Sequence, residues 1–293
     1  MRHVIVFGVD GVRTDTLAAA HTPRIDAIAA AGFLSTFEVS TSAPTLSGPC
    51  WTTVATGMWP EAHGVLGNVF TGKRLDVFPD FLTLAKRRGL ATYAALTWAP
   101  LATTSYGGPV FADPTRLSYA DGEPLGHGEA DQAVTDDAAR ILRDGDYAAA
   151  FVYLGEPDEV AHAVGTGAEY VAAVEAADRR IGQILDAVAT RPRYADEEWT
   201  FIVVTDHGHR DGGGHGGRTA WERQAWIAAC GPGVPTGDVT TCHADVAPTV
   251  MTALGFDAAR QFCFAGRPFG ALDPGDSRET VGDSRETVGA GEA

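Results

Sequence analysis

The chain has 293 residues, 45% of them hydrophobic, with 22 Lys plus Arg against 38 Asp plus Glu and a formal net charge of −16. Such a length admits one large or two small domains, and a mean hydropathy of −0.05 excludes a disordered or collagen-like chain. Lysine occurs only at Lys73 and Lys86 and there is no basic run, which excludes long nucleic acids and acidic membrane surfaces, since both are bound through clustered cations.

In chain order, apolar runs predict strands at 3–9, 91–97, 148–154, 200–205 and 225–230, and helical spacing predicts helices at about 79–88, 129–143, 168–189 and 244–254. In the third helix Val171, Val174, Ala177, Ile181, Ile184, Leu185 and Val188 recur three and four apart. Strands alternating with helices predict an α/β fold with a largely parallel central sheet flanked by helices. Residues 99–127, rich in Gly, Pro and Thr, read as a small loop-rich insertion over a site. Residues 1–271 are expected to form the catalytic domain. In 272–293 the heptapeptide Gly-Asp-Ser-Arg-Glu-Thr-Val occurs twice, at 275–281 and 282–288. Only its Val is apolar, so a disordered acidic tail is expected there rather than a coiled coil.

The run His3–Gly8 is short for a signal-peptide core, and no stretch approaches the ~20 apolar residues of a membrane helix. Cys50, Cys230, Cys242 and Cys263 make no CxxC pair. A cytoplasmic, reduced protein is the expectation.

Four segments place ligand-type or nucleophilic residues at strand ends or helix starts, where ligands bind in open α/β sheets. Asp10 lies in Val9-Asp10-Gly11 after the first strand. The GxGxxG spacing is absent, so a carboxylate here faces a cation better than a pyrophosphate. Ser47 lies in Pro44-Thr45-Leu46-Ser47-Gly48-Pro49-Cys50-Trp51, at or near the N-cap of a helix that Pro49 helps to start. The GxSxG elbow is excluded because position 45 is Thr, and with no base beside it Ser47 would need a metal to ionise. Asp158 and His162 follow the strand ending at Leu154, four residues apart on one helical face. After Val204 come Asp206, His207, His209, Asp211 and His215 on a glycine-rich loop. Such a loop is hard to explain by packing and reads as metal binding.

Together Asp10, Asp158, Asp206, His162, His207, His215 and Ser47 supply mixed nitrogen and oxygen donors, which suit Zn²⁺ or Mn²⁺ better than Ca²⁺. Seven groups fit two adjacent ions, the arrangement that clamps attacking and leaving oxygens in phosphoryl transfer.

The ordered set Val-Asp-Gly, Pro-Thr-x-Ser-x-Pro, Glu-Pro-Asp-x-x-x-His, Thr-Asp-His-Gly and Gly-His-Gly resembles the alkaline phosphatase superfamily, most closely its nucleotide pyrophosphatase/phosphodiesterase (type I phosphodiesterase) branch. Ala55–Asn68 and His243–Thr249 resemble the same branch. The resemblance implies that Asp158, His162 and His215 hold one metal, while Asp10, Asp206 and His207 hold the other together with Ser47. It further implies that Ser47 attacks phosphorus to give a phosphoseryl enzyme, with helix N–H groups after Ser47 on the equatorial oxygens. The implied substrate is a small phosphate diester or nucleotide pyrophosphate. Thr45 is the fallback nucleophile.

Ser47 and Cys50 replace the Thr and Asn usual in that branch, and Trp51 stands where sulfatases carry Arg, which argues against formylglycine chemistry. The missing Arg favours diesters over monoesters. Phosphonate or phosphomonoester hydrolysis on the same core, and a silent metal- or phosphate-binding module, are the alternatives. His209 is read as supporting or solvent-facing, His63 and Asn68 as turn residues, Cys50 as a small buried residue, and Trp51, Trp59 and Trp98 as packing.

Overall fold

A computed structural model of the chain describes residues 1–271 except 41 and 43; the expected tail with its heptapeptide lies outside the described residues. Seven strands form one sheet: β1 (Arg2–Val9), β2 (Phe33–Glu38), β3 (Thr92–Leu96), β4 (Arg116–Tyr119), β5 (Ala149–Leu154), β6 (Glu198–Val204) and β7 (Gln224–Cys230). Their spatial order is β2-β7-β6-β1-β5-β3-β4. The pairs β6–β1, β1–β5, β5–β3 and β3–β4 are parallel, and β7 runs antiparallel to both β6 and β2. The protein is thus α/β with a mostly parallel sheet.

Alternation along β1 explains why the sheet needs cover on both sides. Val4 and Val6 pack into one apolar layer with Trp51, Phe81 and Phe151, whereas Ile5, Phe7 and Val9 pack into another with Tyr93, Ile181 and Val188. Helix Ser47–Thr56, buried at all ten positions, lies in the first layer. Helices His127–Asp144 and Ala168–Ala189 supply the second.

The strands expected from apolar runs match β1, β3, β5, β6 and β7 to within two residues at each end. Two strands were not expected. In β2 buried and exposed residues alternate, with Leu34, Thr36 and Glu38 exposed and only Phe33 and Ser35 buried, so no apolar run announces it. In β4 four residues, Arg-Leu-Ser-Tyr, form an edge strand on β3. The stretch 99–127 therefore contributes to the main sheet as well as carrying short helical turns at Ala99–Ala102 and Gly122–Leu125. Among the described residues no helix is long and apolar enough to cross a membrane, and all four cysteines are free.

Candidate metal centre and nucleophile

Three adjacent parallel strands, β6, β1 and β5, end side by side, and each delivers an aspartate just past its carboxyl end. The Asp10 N–H still pairs with Leu154 O at 3.0 Å, continuing the ladder. Asp206 comes two residues after β6, and Asp158 lies in the first turn of helix Glu156–Val164, which follows β5. Strands about 4.8 Å apart bring such carboxylates together.

Asp10 and Asp206 are each held by hydrogen bonds on one side only. Asp10 Oδ2 accepts from Tyr153 Oη at 2.6 Å and Trp51 Nε1 at 2.8 Å. Asp206 Oδ1 accepts from the N–H groups of Gly11 and His207, both at 3.0 Å. The remaining oxygens, Asp10 Oδ1 and Asp206 Oδ2, are buried without a hydrogen-bond partner, as is Asp158 Oδ1. Leaving buried carboxylate oxygens unmet by donors is costly, so the arrangement fits cations. Burial, and then the Asp158 charge, pushes Asp10 up to about 7. Burial likewise pushes Asp158 up to about 7, and burial followed by the Asp10 charge drives Asp206 well above the usual carboxylate range.

The imidazoles face the same region with lone pairs. His215 donates Nδ1–H to Thr45 O at 2.6 Å and His207 directs Nδ1 at Gly208 O at 3.3 Å, so Nε2 of each is left as an acceptor. His207 Nε2 lies 3.2 Å from Asp206 Oδ2 and 3.7 Å from Asp10 Oδ1. His162 and His215 approach Nε2 to Nε2 at 2.9 Å, each near Asp158 at 3.5 and 3.4 Å. Burial, followed by the other imidazoles, holds His207 well below 6.5, and burial lowers His215 to about 4. Neutral imidazoles are the metal-binding form. One ligand atom from each of Asp10, Asp206 and His207 lies within 4.8 Å of the others, and the same holds for Asp158, His207 and His215 and for Asp158, His162 and His209.

Ser47 is the first residue of its helix, after Leu46 as N-cap, and its Oγ lies 3.4 Å from His207 Nε2. Thr45 is engaged elsewhere: its hydroxyl contacts Gly217 O at 3.3 Å and accepts from Gly216 N at 2.9 Å, fixing the His215 loop. The N–H groups after Ser47 are not open to an anion as expected. Gly48 N–H donates to Asn68 Oδ1 at 2.8 Å, position 49 is proline, and Cys50 N–H pairs with Leu46 O. A Cβ on Gly48 would meet Gly67 O at 2.4 Å, so only glycine admits this approach. Asn68 thus reaches the start of the Ser47 helix, beyond the turn role expected of it.

Trp51 and Tyr153 were missed as polar partners because both read as core from sequence, and both are core as well as donors. His63 is a turn residue that also reaches the Ser47 helix, taking Val65 N–H on Nδ1 and contacting Thr53 Oγ1 at 3.1 Å. Cys50 is buried against Val39 and Ala225, and burial raises its thiol, so it is no thiolate. Asp211 leaves the centre to pair with buried Arg13 at 2.6 Å. His209 is neither solvent-facing nor hydrogen-bonded: it is fully buried and both ring nitrogens lack partners.

The type I phosphodiesterase / nucleotide pyrophosphatase family profile matches residues 4–219. The rat ectonucleotide pyrophosphatase/phosphodiesterase family member 7 is 25% identical over 219 residues, covering 70% of this chain and 49% of the relative. An uncharacterized pyrophosphatase/phosphodiesterase of Schizosaccharomyces pombe is 25% identical over 229 residues, covering 70% and 44%. The chain therefore spans about half the length of the curated relatives it matches. Among solved structures, murine ectonucleotide pyrophosphatase/phosphodiesterase 5, in an inactive form with AMP, superposes with a TM-score of 0.69 at 15% identity over 91% of this chain and 97% of that one. Phosphonate monoester hydrolase of Agrobacterium radiobacter gives 0.60 at 17% identity over 87% and 74%. On the family match, which covers most of the sheet and all the clustered Asp and His residues, this chain belongs to the type I phosphodiesterase / nucleotide pyrophosphatase family.

Proposed function

We propose that the protein hydrolyses small phosphate diesters or nucleotide pyrophosphate bonds with two divalent cations, Zn²⁺ first and Mn²⁺ second, through a phosphoseryl intermediate on Ser47. The observation that carries this is the convergence of two buried, half-satisfied carboxylates, Asp10 and Asp206, and the partly buried Asp158 with imidazole nitrogens, beside the Ser47 hydroxyl 3.4 Å from His207 Nε2. Asp10, Asp206 and His207 would hold one ion next to Ser47, and Asp158, His162 and His215 the other. Bound there, the cations supply charge that lowers the pKa of the serine hydroxyl and neutralises the phosphoryl oxygens.

The chain's own groups do the rest. Trp51 and Tyr153 fix the Asp10 carboxylate and favour its ionised form against the burial that raises it. Ser47, on the first turn of a fully buried helix, has little freedom, so its Oγ is presented in one direction. The Oγ–P bond forms as the P–O bond to the leaving group breaks, and water then cleaves the phosphoserine and restores the hydroxyl. With its carbonyl oxygen engaged by Gly48 N–H, Asn68 would offer its NH₂ group as a donor to a phosphoryl oxygen. Arg13, three residues after Asp10, is held by Asp15, Asp211 and His209 O and so is engaged away from a dianion. That favours diesters over monoesters. The AMP held by the murine relative supports a nucleotide-sized ester as substrate.

The test is chelator-stripped protein refilled with Zn²⁺ or Mn²⁺ and assayed on bis-nitrophenyl phosphate, nitrophenyl phosphate and nitrophenyl sulfate. Diester turnover should require metal, and Ser47→Ala should lower it about 10³-fold or more. Metal-independent turnover or a fully active Ser47→Ala overturns the mechanism. Dominant monoester or sulfate hydrolysis overturns the substrate class.

A further inference from the structure

His209 has no place in the two ligand sets just described, yet it is 0% exposed with Nδ1 and Nε2 both unpartnered. A buried imidazole normally has at least one nitrogen satisfied. Its Nε2 lies 2.9 Å from Asp158 Oδ1, and that oxygen is also without a hydrogen bond, so the two atoms are close but not aligned as donor and acceptor. Two ligands of one cation show this relationship. Bonds of about 2.0–2.1 Å at a tetrahedral ion set neighbouring donors about 3.3 Å apart.

The surrounding distances have the same scale. Asp158 is 3.4 Å from His215 Nε2 and 3.5 Å from His162 Nε2, and those two nitrogens are 2.9 Å apart. The His209 ring lies 5.2 Å from that of His162 and 5.1 Å from that of His215, centroid to centroid, crossing both nearly at right angles. Room for it is made by Gly11, at φ +68°, where a Cβ would meet His209 Nε2 at 2.5 Å and Asp158 Oδ1 at 2.8 Å. The opposite edge is fixed through the backbone, because Arg13 donates to His209 O.

We propose that His209 is a protein ligand of the cation at Asp158, completing a site of one carboxylate and three imidazoles with His162 and His215. The inference rests on the two-metal reading above. His209 would add a third imidazole to the proposed Asp158, His162 and His215 set, while the Asp10, Asp206 and His207 set would lie beside Ser47.

A ligand differs from a residue that merely positions Asp158 by hydrogen bonding. His209→Gln retains an amide donor near the Nε2 position but is a poor metal ligand, and His209→Ala removes both. Metal-free protein is titrated with Zn²⁺ against a chromophoric chelator and with Co²⁺ followed by visible absorption. Wild type should take up two ions. Both variants should weaken one of them by more than the roughly 10–100-fold that loss of a supporting hydrogen bond gives, and the Co²⁺ absorption should fall as water replaces an imidazole. Wild-type affinity and an unchanged spectrum in His209→Gln overturn the proposal.

A measurement on unaltered protein covers the case of variants that do not fold. Proton NMR of the Co²⁺ form in H₂O should show four exchangeable, contact-shifted imidazole N–H resonances, for His162, His207, His209 and His215. Three such resonances with two bound ions overturn the His209 assignment alone. A wild type that binds no ion overturns the two-metal reading with it.

Discussion

Tyr153 donates its hydroxyl to Asp10 Oδ2 at 2.6 Å from the neighbouring strand, one residue before β5 ends. With Trp51 on the same oxygen, the bond leaves Asp10 Oδ1 without a hydrogen-bond partner, as the ligand atom of the proposed centre, and fixes its direction. Burial and the nearby carboxylates keep the Tyr153 phenol well above 10, so it stays a donor at any working pH. Tyr153→Phe retains the packing against Trp51 but removes the bond. Zinc affinity at the Asp10 end should fall about 10–100-fold, measured by chelator competition, while Ser47 and the Asp158 group are untouched. Unchanged affinity would show that Trp51 alone suffices to orient the carboxylate.

Asn68 makes a separable prediction, because it contacts no cluster residue and binds the helix start instead. Asn68→Ala should leave metal content at two per chain and lower kcat about 10²–10³-fold, the usual loss for one donor to developing negative charge. KM should change far less than kcat. A loss confined to KM would reassign Asn68 to ground-state binding.

The strands and the Asp and His clusters were legible from sequence because each depends on a local signal: an apolar run of five or more residues, then ligand-type residues at its end. Asp10, Asp158 and Asp206 follow from that rule since β6, β1 and β5 are neighbours. What escaped has no local signal. Strand β2 is half exposed and β4 is four residues long, so neither shows a buried run. Trp51 and Tyr153 look like core because they are core, and their polar atoms acquire meaning only when strands and helix stack. His209 shares a loop with His207 and His215, and the close approach that lets it turn inward beside them depends on the glycine at position 11, in the turn after β1 and far away in sequence.

Asp131 carries a prediction about how the Asp158 helix is seated. Fully buried on helix His127–Asp144, it accepts from Gly155 N at 3.0 Å, Glu156 N at 2.8 Å and Thr97 Oγ1 at 2.9 Å. Gly155 is the N-cap of helix Glu156–Val164 and has no side chain to cap it, so Asp131 satisfies these helix-start N–H groups from outside. Asp131→Ala should cost about 1–3 kcal/mol in urea unfolding of metal-free protein. Zinc should also be lost preferentially from the Asp158 end, since the helix start carries that ligand. A destabilised variant with normal zinc affinity would limit Asp131 to stability.

The opposite end of the sheet supplies a pH prediction independent of metal. Arg191 donates to Glu197 Oε2 and Oε1 at 2.9 and 2.8 Å, and Trp199 Nε1 adds a bond at 3.1 Å. The same guanidinium ties down the carbonyls of Leu142 and Gly145, joining the end of helix His127–Asp144 to the start of β6. These bonds to Arg191 lower Glu197 to about 2. A carboxyl whose folded pKa lies below its unfolded value of about 4.3 stabilises fully above the unfolded value, and that stabilisation disappears as pH falls through about 2. Glu197→Gln should therefore be less stable than wild type by about 2–3 kcal/mol at pH 7. The gap should close on acidification from pH 4 towards pH 2, read from urea midpoints across the series. Because Glu197 lies at the amino end of β6 and the proposed metal ligands at its carboxyl end, diester turnover at pH 7 should be unchanged in the same variant. A gap that persists unaltered at pH 2 would mean that the loss comes from packing around Arg191 rather than from the charge on Glu197.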